Sequence, residues 1–521
     1  DHAEMYGLMP QLKMGDQEIL SQENGKRWYD MLSSDDADKK FAAAMEIVDS
    51  LSKKDPPINN PDAIRKAWEA YTALADKYNE PGHFSALIGY EWTSTQGGNN
   101  LHRNVIYRDT QVPEVPFSSL DSMNPEDLWD ALDAQRAAGM TMLAIPHNGN
   151  VSNGLMYDRA LFDGSPMTAR YAEQRMRNEP LVEVTQIKGT SETHPDLSPN
   201  DEWADFEIYT RLLGSYDVSA TNGSYVREAY GLGLKLEEDE GFNPFKFGLV
   251  AASDSHVVGG AYAEDAYWSK VGIVDGLPVN RGSVPFDREK SWEEQPVTQQ
   301  TQNATEWFSR WSASGLTGVW AEENTREAIF DAFRRKETFA TTGPRMKVRF
   351  FASFDFKDDL ASDPDLAGKA YAQGVTMGSD LIGDGRAPSF LVWALQDPNA
   401  APLQRAQVVK VTSSDEQVFD VACHSGSPDP ETHRCPDNGA GVDLTTCAPT
   451  GQGAAELKTV WSDPGFNPEE RASYYVRVLE NPTCRWSTWE ALAAGTPPRP
   501  DVPQTLQERA YTSPIWYTPG N

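Results

Sequence analysis

Residues 61–92 read PDAIRKAWEAYTALADKYNEPGHFSALIGYEW, and their reading decides the fold class. Ile64, Ala67, Trp68, Tyr71, Leu74, Ala75 and Tyr78 recur at helical spacing, which predicts an amphipathic helix over 61–79. Pro81-Gly82 stops it, and FSALIGYEW (84–92) follows as a short buried strand ending in Glu91-Trp92. The alternation continues outward from there. HRNVIY (102–107), TMLAIPHN (141–148), LVEVTQI (181–187) and FGLVAASDSH (247–256) read as strands. PEDLWDALDAQRAAG (125–139), opened by Asn124-Pro125, EWADFEIYTRLL (202–213) and NTREAIFDAFRRKETF (324–339) read as helices. Segments 189–245 and 276–315, rich in Ser, Gly, Asn and charge, read as insertions. Strands alternating with helices predict βα units and a mostly parallel sheet, an α/β fold over residues 1–345.

Beyond Pro344 the texture changes. MKVRFFASFDF, SFLVWAL, AQVVKVTSS and ERASYYVRVLEN are strand runs between loops rich in Pro, Gly and Asp, so 346–521 reads as a β-rich C-terminal domain. It holds all four cysteines, Cys423, Cys435, Cys447 and Cys484. An even, clustered count with no CxxC pair predicts two disulfides of open connectivity in an oxidising compartment, hence a periplasmic or secreted protein. The chain starts Asp1-His2 without an initiator Met, and we expect the gene to begin upstream of it.

Composition bounds the function. The 521 residues carry a formal charge of −32, which disfavours a nucleic acid duplex or an anionic lipid surface as partner. No apolar run is long enough to predict a membrane span. Motifs for a nucleophile elbow, a P-loop, a dinucleotide fold and a HExxH zinc site are absent from the sequence. The Gly pairs at 97–98 and 259–260 read as rim loops, and 428–444 as a disulfide-pinned surface loop.

Six side chains of ligand type sit at strand ends: His2 in DHAE, Glu91 in LIGYEW, His102 in LHRNV, His147 in AIPHN, and Asp254 and His256 in SDSH. Imidazole with carboxylate is a ligand set for Zn²⁺, Mn²⁺ or Fe. In extended chain, Asp254 and His256 at i and i+2 point to the same side. One strand-end histidine is ordinarily just a satisfied polar residue. Six ligand-type groups at five strand ends predict a metal site.

In this order, DHAE, IGYEWTS, LHRNV, PHN and SDSH resemble the later motifs of the PHP (polymerase and histidinol phosphatase) superfamily. The nearest branch comprises secreted bacterial proteins, described as a domain of unknown function, with a tail like ERAYTSPIWYTP. The resemblance implies a distorted (β/α)7 barrel with insertions, two to three divalent metal ions (Zn, Mn or Fe) at one rim, and phosphoester hydrolysis. Carried over, His2, His102 and His147 are imidazole ligands, Glu91 bridges two metals, and Asp254 with His256 closes the set. The superfamily's opening His-x-His finds no match in this chain, and an upstream segment is expected to supply it.

The catalytic set expected on this reading is Glu91, His147, Asp254, Arg345 and Lys188, acting on a small-molecule phosphoester. Arg345 in TTGPR is a candidate bidentate clamp for an oxyanion. Arg103, Asn104, Asn148 and Thr190 are further candidates at rim height. Glu183 is expected behind the ligands and Trp92 in a pocket wall. Two alternatives stand beside it. One is hydrolysis of a sulfate ester, phosphonate ester or C–N bond at the same metals, and the other is a non-catalytic secreted binding protein.

Overall fold

The computed structural model describes residues 2–50, 58, 60–257 and 263–520; the Gly259-Gly260 pair and Asp1 lie outside them. Four helices open the chain: α1 (Leu8–Met14), α2 (Gln17–Leu20), α3 (Glu23–Leu32) and α4 (Ala37–Ser50). The expected helix forms as α5 (Pro61–Tyr78). Asn60 caps it by accepting from the Ala63 N–H at 3.1 Å, and Pro61 stands where its missing N–H costs nothing. Its Trp68 is buried against Tyr6, Tyr71 and Tyr90.

β1 (Ile88–Trp92), β2 (Arg103–Tyr107) and β3 (Met142–Pro146) form a three-stranded, wholly antiparallel sheet; α6 (Pro125–Ala137) links β2 to β3. After α7 (Ala169–Asn178) come β4 (Leu181–Gln186) and β5 (Gly189–Thr190), then α8 (Val226–Glu240) and β6 (Gly248–Ala251). β4 and β6 pair in parallel, with β5 antiparallel on the other side of β4.

The barrel expectation is therefore corrected. The strands divide among several separate sheets, and among the described residues none closes on itself. The physical reason lies in the connections. Parallel neighbours need a long crossover, which α8 supplies between β4 and β6. The ten residues joining β1 to β2 contain no α-helix, and that short return makes the pair antiparallel, with Glu91 opposite Asn104.

An eight-stranded sheet takes β7 (Leu316–Val319) and β8 (Thr338–Thr341) together with Arg509–Thr512, Ala472–Glu480, Ile515–Thr518 and Asp380–Ile382. Leu403–Val411 and Glu416–Cys423 branch from it, so strands on both sides of residue 345 share one sheet. A four-stranded sheet built on Lys347–Ser353 and Ser389–Leu395 packs beside it. Two disulfides, Cys423–Cys435 and Cys447–Cys484, staple the C-terminal loops, as the cysteine count led us to expect.

Two local readings also change. Residues 202–213 have helical spacing but fold as turns, because Glu207 is drawn into a buried ion pair with Arg485 at 2.7 Å and Tyr209 into an aromatic cluster. Conversely, 189–245 contains the 15-residue helix α8. No helix among the described residues is long and apolar enough to cross a membrane.

Candidate metal centre

Glu91 stands at the centre of the site. It is the fourth residue of β1, and the chain start lies alongside: His2 bridges Glu91 in parallel register, and the Ala3 N–H donates to the Glu91 carbonyl at 2.8 Å. His102 immediately precedes β2 and His147 immediately follows β3. Because those strands are antiparallel, the start of one lies beside the end of the other, and the His147 N–H reaches the His102 carbonyl at 3.3 Å. Three separate segments thus deliver a carboxylate and two imidazoles to one point.

Each imidazole is held by one nitrogen and presents the other. Thr95 Oγ1 meets His102 Nε2 at 2.8 Å, leaving Nδ1 2.9 Å from Glu91 Oε1. Asn104 Nδ2 meets His147 Nδ1 at 3.2 Å, leaving Nε2 3.1 Å from the same oxygen. His2 Nδ1 lies 3.4 Å from Glu91 Oε2 and 2.7 Å from Thr93 Oγ1. Thr93 and Thr95 follow the end of β1 and support the rings of His2 and His102.

Despite these short distances, His102 Nδ1 and His147 Nε2 are buried with no aligned hydrogen-bond partner. The two nitrogens converge on one carboxylate oxygen, Glu91 Oε1, without an aligned hydrogen bond to it. Ligand atoms about 2.0–2.2 Å from an ion stand roughly 3.0–3.5 Å apart, and the two nitrogens lie 2.9 and 3.1 Å from Glu91 Oε1, close to that spacing. Glu91, His102 and His147 fit one divalent metal ion, and all their ligand atoms lie within 4.8 Å.

Electrostatics act differently on each member of the group. Burial opposes ionisation of Glu91, but His2 and His147 outweigh it and hold the carboxyl well below the usual range. Burial pushes His102 down to about 4, so its ring is neutral at pH 7 as a ligand must be. His147 is also disfavoured by burial, yet the Glu91 charge raises it above the ordinary histidine value.

Asp254 and His256 follow β6 and enter the same cavity, with the His256 ring 5.8 Å from that of His2. Asp254 stands at φ +52°, in the left-handed region that non-glycine residues seldom occupy, a local strain typical of functional positions. Its carboxylate contacts Lys188 and, at 3.3 Å, Lys270. Those two cations overcome the burial that opposes ionisation and hold Asp254 well below the usual range. Lys270 also depresses His256 to about 3. Burial lowers Lys270 itself to about 8.

Among the expected residues, then, His2, Glu91, His102, Lys188, Asp254 and His256 line one cavity, with His147 directly behind Glu91. Arg345 is the exception. The TTGPR turn leads into Lys347–Ser353, away from the histidines; Arg345 is exposed, its N–H donates to Asp397 at 2.7 Å, and it lines a different cavity. Arg103 is consumed by a buried pair with Glu179 at 2.9 Å, and Thr190 donates to the Val184 carbonyl at 3.3 Å. Asn148 follows His147 with φ +54° and is buried. Glu183 is buried behind His147, and burial raises it to about 7; Trp92 is core. Lys270 escaped the sequence reading, because nothing in AYWSK marks it; Thr93 and Thr95 were accessible as hydroxyls two and four residues beyond Glu91.

A family model described as "Protein of unknown function (DUF3604)" matches residues 1–519. No curated protein matches the chain. No solved structure matches it either.

Proposed function

This chain belongs to the DUF3604 family, whose function is unknown, and we propose that it is a metal-dependent hydrolase, most simply a phosphoesterase acting on a small molecule. The observation that carries the reading is the convergence of His102 Nδ1 and His147 Nε2, both buried and unpartnered, on Glu91 Oε1. Glu91, His102 and His147, with His2 beside them, would hold one ion; Asp254 and His256 are the groups available to further ions, two to three in all. Divalent Zn, Mn or Fe bound there would acidify a water and polarise an ester oxygen.

The chain's own groups have distinct tasks. Thr95 and Asn104 fix the two rings so that only one nitrogen of each faces Glu91. Lys188 and Lys270 supply positive charge beside Asp254 and so favour an anionic head group in a protein that is otherwise strongly acidic. Among ester classes, the likeness of the strand-end motifs to PHP proteins favours phosphoesters over sulfate, phosphonate or C–N substrates. The reading extends to a periplasmic or secreted location, since two disulfides persist best in an oxidising compartment.

Metal analysis of the purified chain, with a phosphomonoester assay in added Mn²⁺ or Zn²⁺, tests the proposal. We expect two or three bound equivalents, hydrolysis, and loss of both on His147→Ala with the fold retained. A folded protein that binds no metal and cleaves no ester overturns it.

A further inference from the structure

The cavity that holds the candidate ligands has two unlike ends. One is the charged floor already described. The other is a wall of Phe41, Met45, Leu212, Trp307, Phe308 and Trp311. Phe41, Ala44 and Met45 fall at i, i+3 and i+4 of α4, so one face of that helix turns into the opening. The aromatic rings are mutually packed: Phe41 to Trp307 at 5.8 Å between centroids and Phe308 to Trp311 at 4.8 Å. Trp311 ties the two ends together, since Lys270 Nζ lies 5.8 Å from its ring centroid. No charged side chain among the described residues lines the wall end.

The cavity is partly open and has a volume of about 200 Å³. About 150 Å³ accommodates a benzene ring. A tetrahedral oxyanion on the charged floor and one ring against the wall therefore fill the space between them. The several hydroxyls of a sugar pressed on that wall would lose their water with at most two indole N–H donors to replace it, which is costly for each polar group left unpaired. Two donors are spare there: the indole Nε1 atoms of Trp307 and Trp311 are buried with no hydrogen-bond partner.

We infer that the substrate is a phosphomonoester whose leaving group is a single aromatic ring or an apolar group of that size, not a sugar or a nucleoside. This rests on the hydrolase reading above and specifies its substrate class. In the reaction, water adds to phosphorus as the P–O bond to the leaving group breaks. The leaving oxygen takes a proton, and the products are the apolar alcohol and inorganic phosphate. Phe41, Trp307 and Phe308 act as specificity residues by excluding water from the ring.

Benzyl phosphate and glycerol 1-phosphate, whose leaving alcohols are of comparable acidity, separate this inference from its premise in assays of the metal-loaded full chain. We expect kcat/KM at least about tenfold higher for benzyl phosphate, mainly through KM. Phe41→Ala should bring the ratio towards one. Phe41 is half-buried and flanks the buried aromatic cluster without belonging to it, so its truncation spares the core; Phe308→Leu is the second variant. Equal kcat/KM for the two esters overturns the inference while leaving the hydrolase reading intact, as does a preference that survives both variants. Should neither ester be cleaved, the hydrolase reading fails and calorimetry decides the inference. Benzylphosphonate binding about tenfold tighter than methylphosphonate, and weakened by Phe41→Ala, sustains it. Equal binding, or none, overturns it.

Discussion

Two buried clusters of charge in this molecule are built from similar numbers of groups and arranged on opposite rules. In the first, Arg227 and Arg477 lie fully buried between α8 and the eight-stranded sheet. Arg477 grips Asp201 with two bonds of 2.7 and 2.8 Å and reaches Gln407 at 2.7 Å. Arg227 contacts Glu192 at 3.0 Å and Asp201 at 2.9 Å. Donors there are matched to acceptors, and Asp201 is held far below its ordinary range, with burial outweighed by the two guanidiniums. In the second cluster, around Glu91, imidazole nitrogens come as close as 2.9 Å to a carboxylate and form no aligned bond with it. Saturated pairing joins parts of the fold, whereas buried nitrogens left open are the mark of a site awaiting a ligand.

The contrast breaks most decisively at Glu91. Glu91→Gln keeps the volume and removes the charge on which three histidines converge. Activity should fall about a thousandfold, since metal chemistry contributes several kcal/mol to such reactions. Metal content should drop with it, while the far-ultraviolet circular dichroism stays that of the wild type. Undiminished metal content and turnover would put the Glu91 cluster in the same structural category as the arginines.

Arg477→Met should do the reverse. It leaves Asp201 and Glu192 buried with half their partners, and breaking such a pair costs about 3–5 kcal/mol. Chemical denaturation should register that loss, yet the surviving folded fraction should bind metal in the wild-type ratio. A variant as stable as the parent would mean that Arg227 alone neutralises both carboxylates.

How much of this contrast could be read from the chain alone depends on whether a residue's neighbours in sequence are its neighbours in space. Glu91, His102 and His147 were legible because each abuts a short apolar run, and the ends of paired strands meet. The pairing directions were not, because alternation of apolar runs and helices fits both parallel and antiparallel sheets; a short link settles β1 and β2, whereas β2 and β3 are antiparallel even across a link that contains α6. Arg345 looked poised at the end of β8, but its turn carries the chain onto another sheet. Lys270 is placed by tertiary packing 14 residues beyond His256, and no periodicity announces it. The helical spacing of 202–213 was overridden in the same way, by the buried partner of Glu207.

A third set of buried acids sharpens the comparison by having neither kind of partner. Glu264, Glu480 and Glu508 line one cavity of about 590 Å³, and neither carboxylate oxygen of Glu480 meets an aligned donor. Burial raises all three, Glu508 to about 8. In the unfolded chain these groups titrate near pH 4.5. Between there and pH 8 folded Glu508 holds a proton that the unfolded state has released, so its contribution to stability is complete at acid pH and is lost as pH rises through 8; Glu264 and Glu480, also raised, act in the same direction. The arginine cluster gives no slope in that window, because Asp201 stays ionised throughout. The depressed His102 gives a slope of opposite sign, confined to the acid side of pH 6.5. Each unit of pH costs at most about 1.4 kcal/mol per proton, or a few degrees of melting temperature. In chelator, the midpoint should therefore decline from pH 6.5 to 8, and Glu508→Gln, which keeps an acceptor for the Thr342 hydroxyl, should flatten the decline. Parallel curves for the two proteins would mean that Glu508 is already ionised in the fold and has a cationic partner after all.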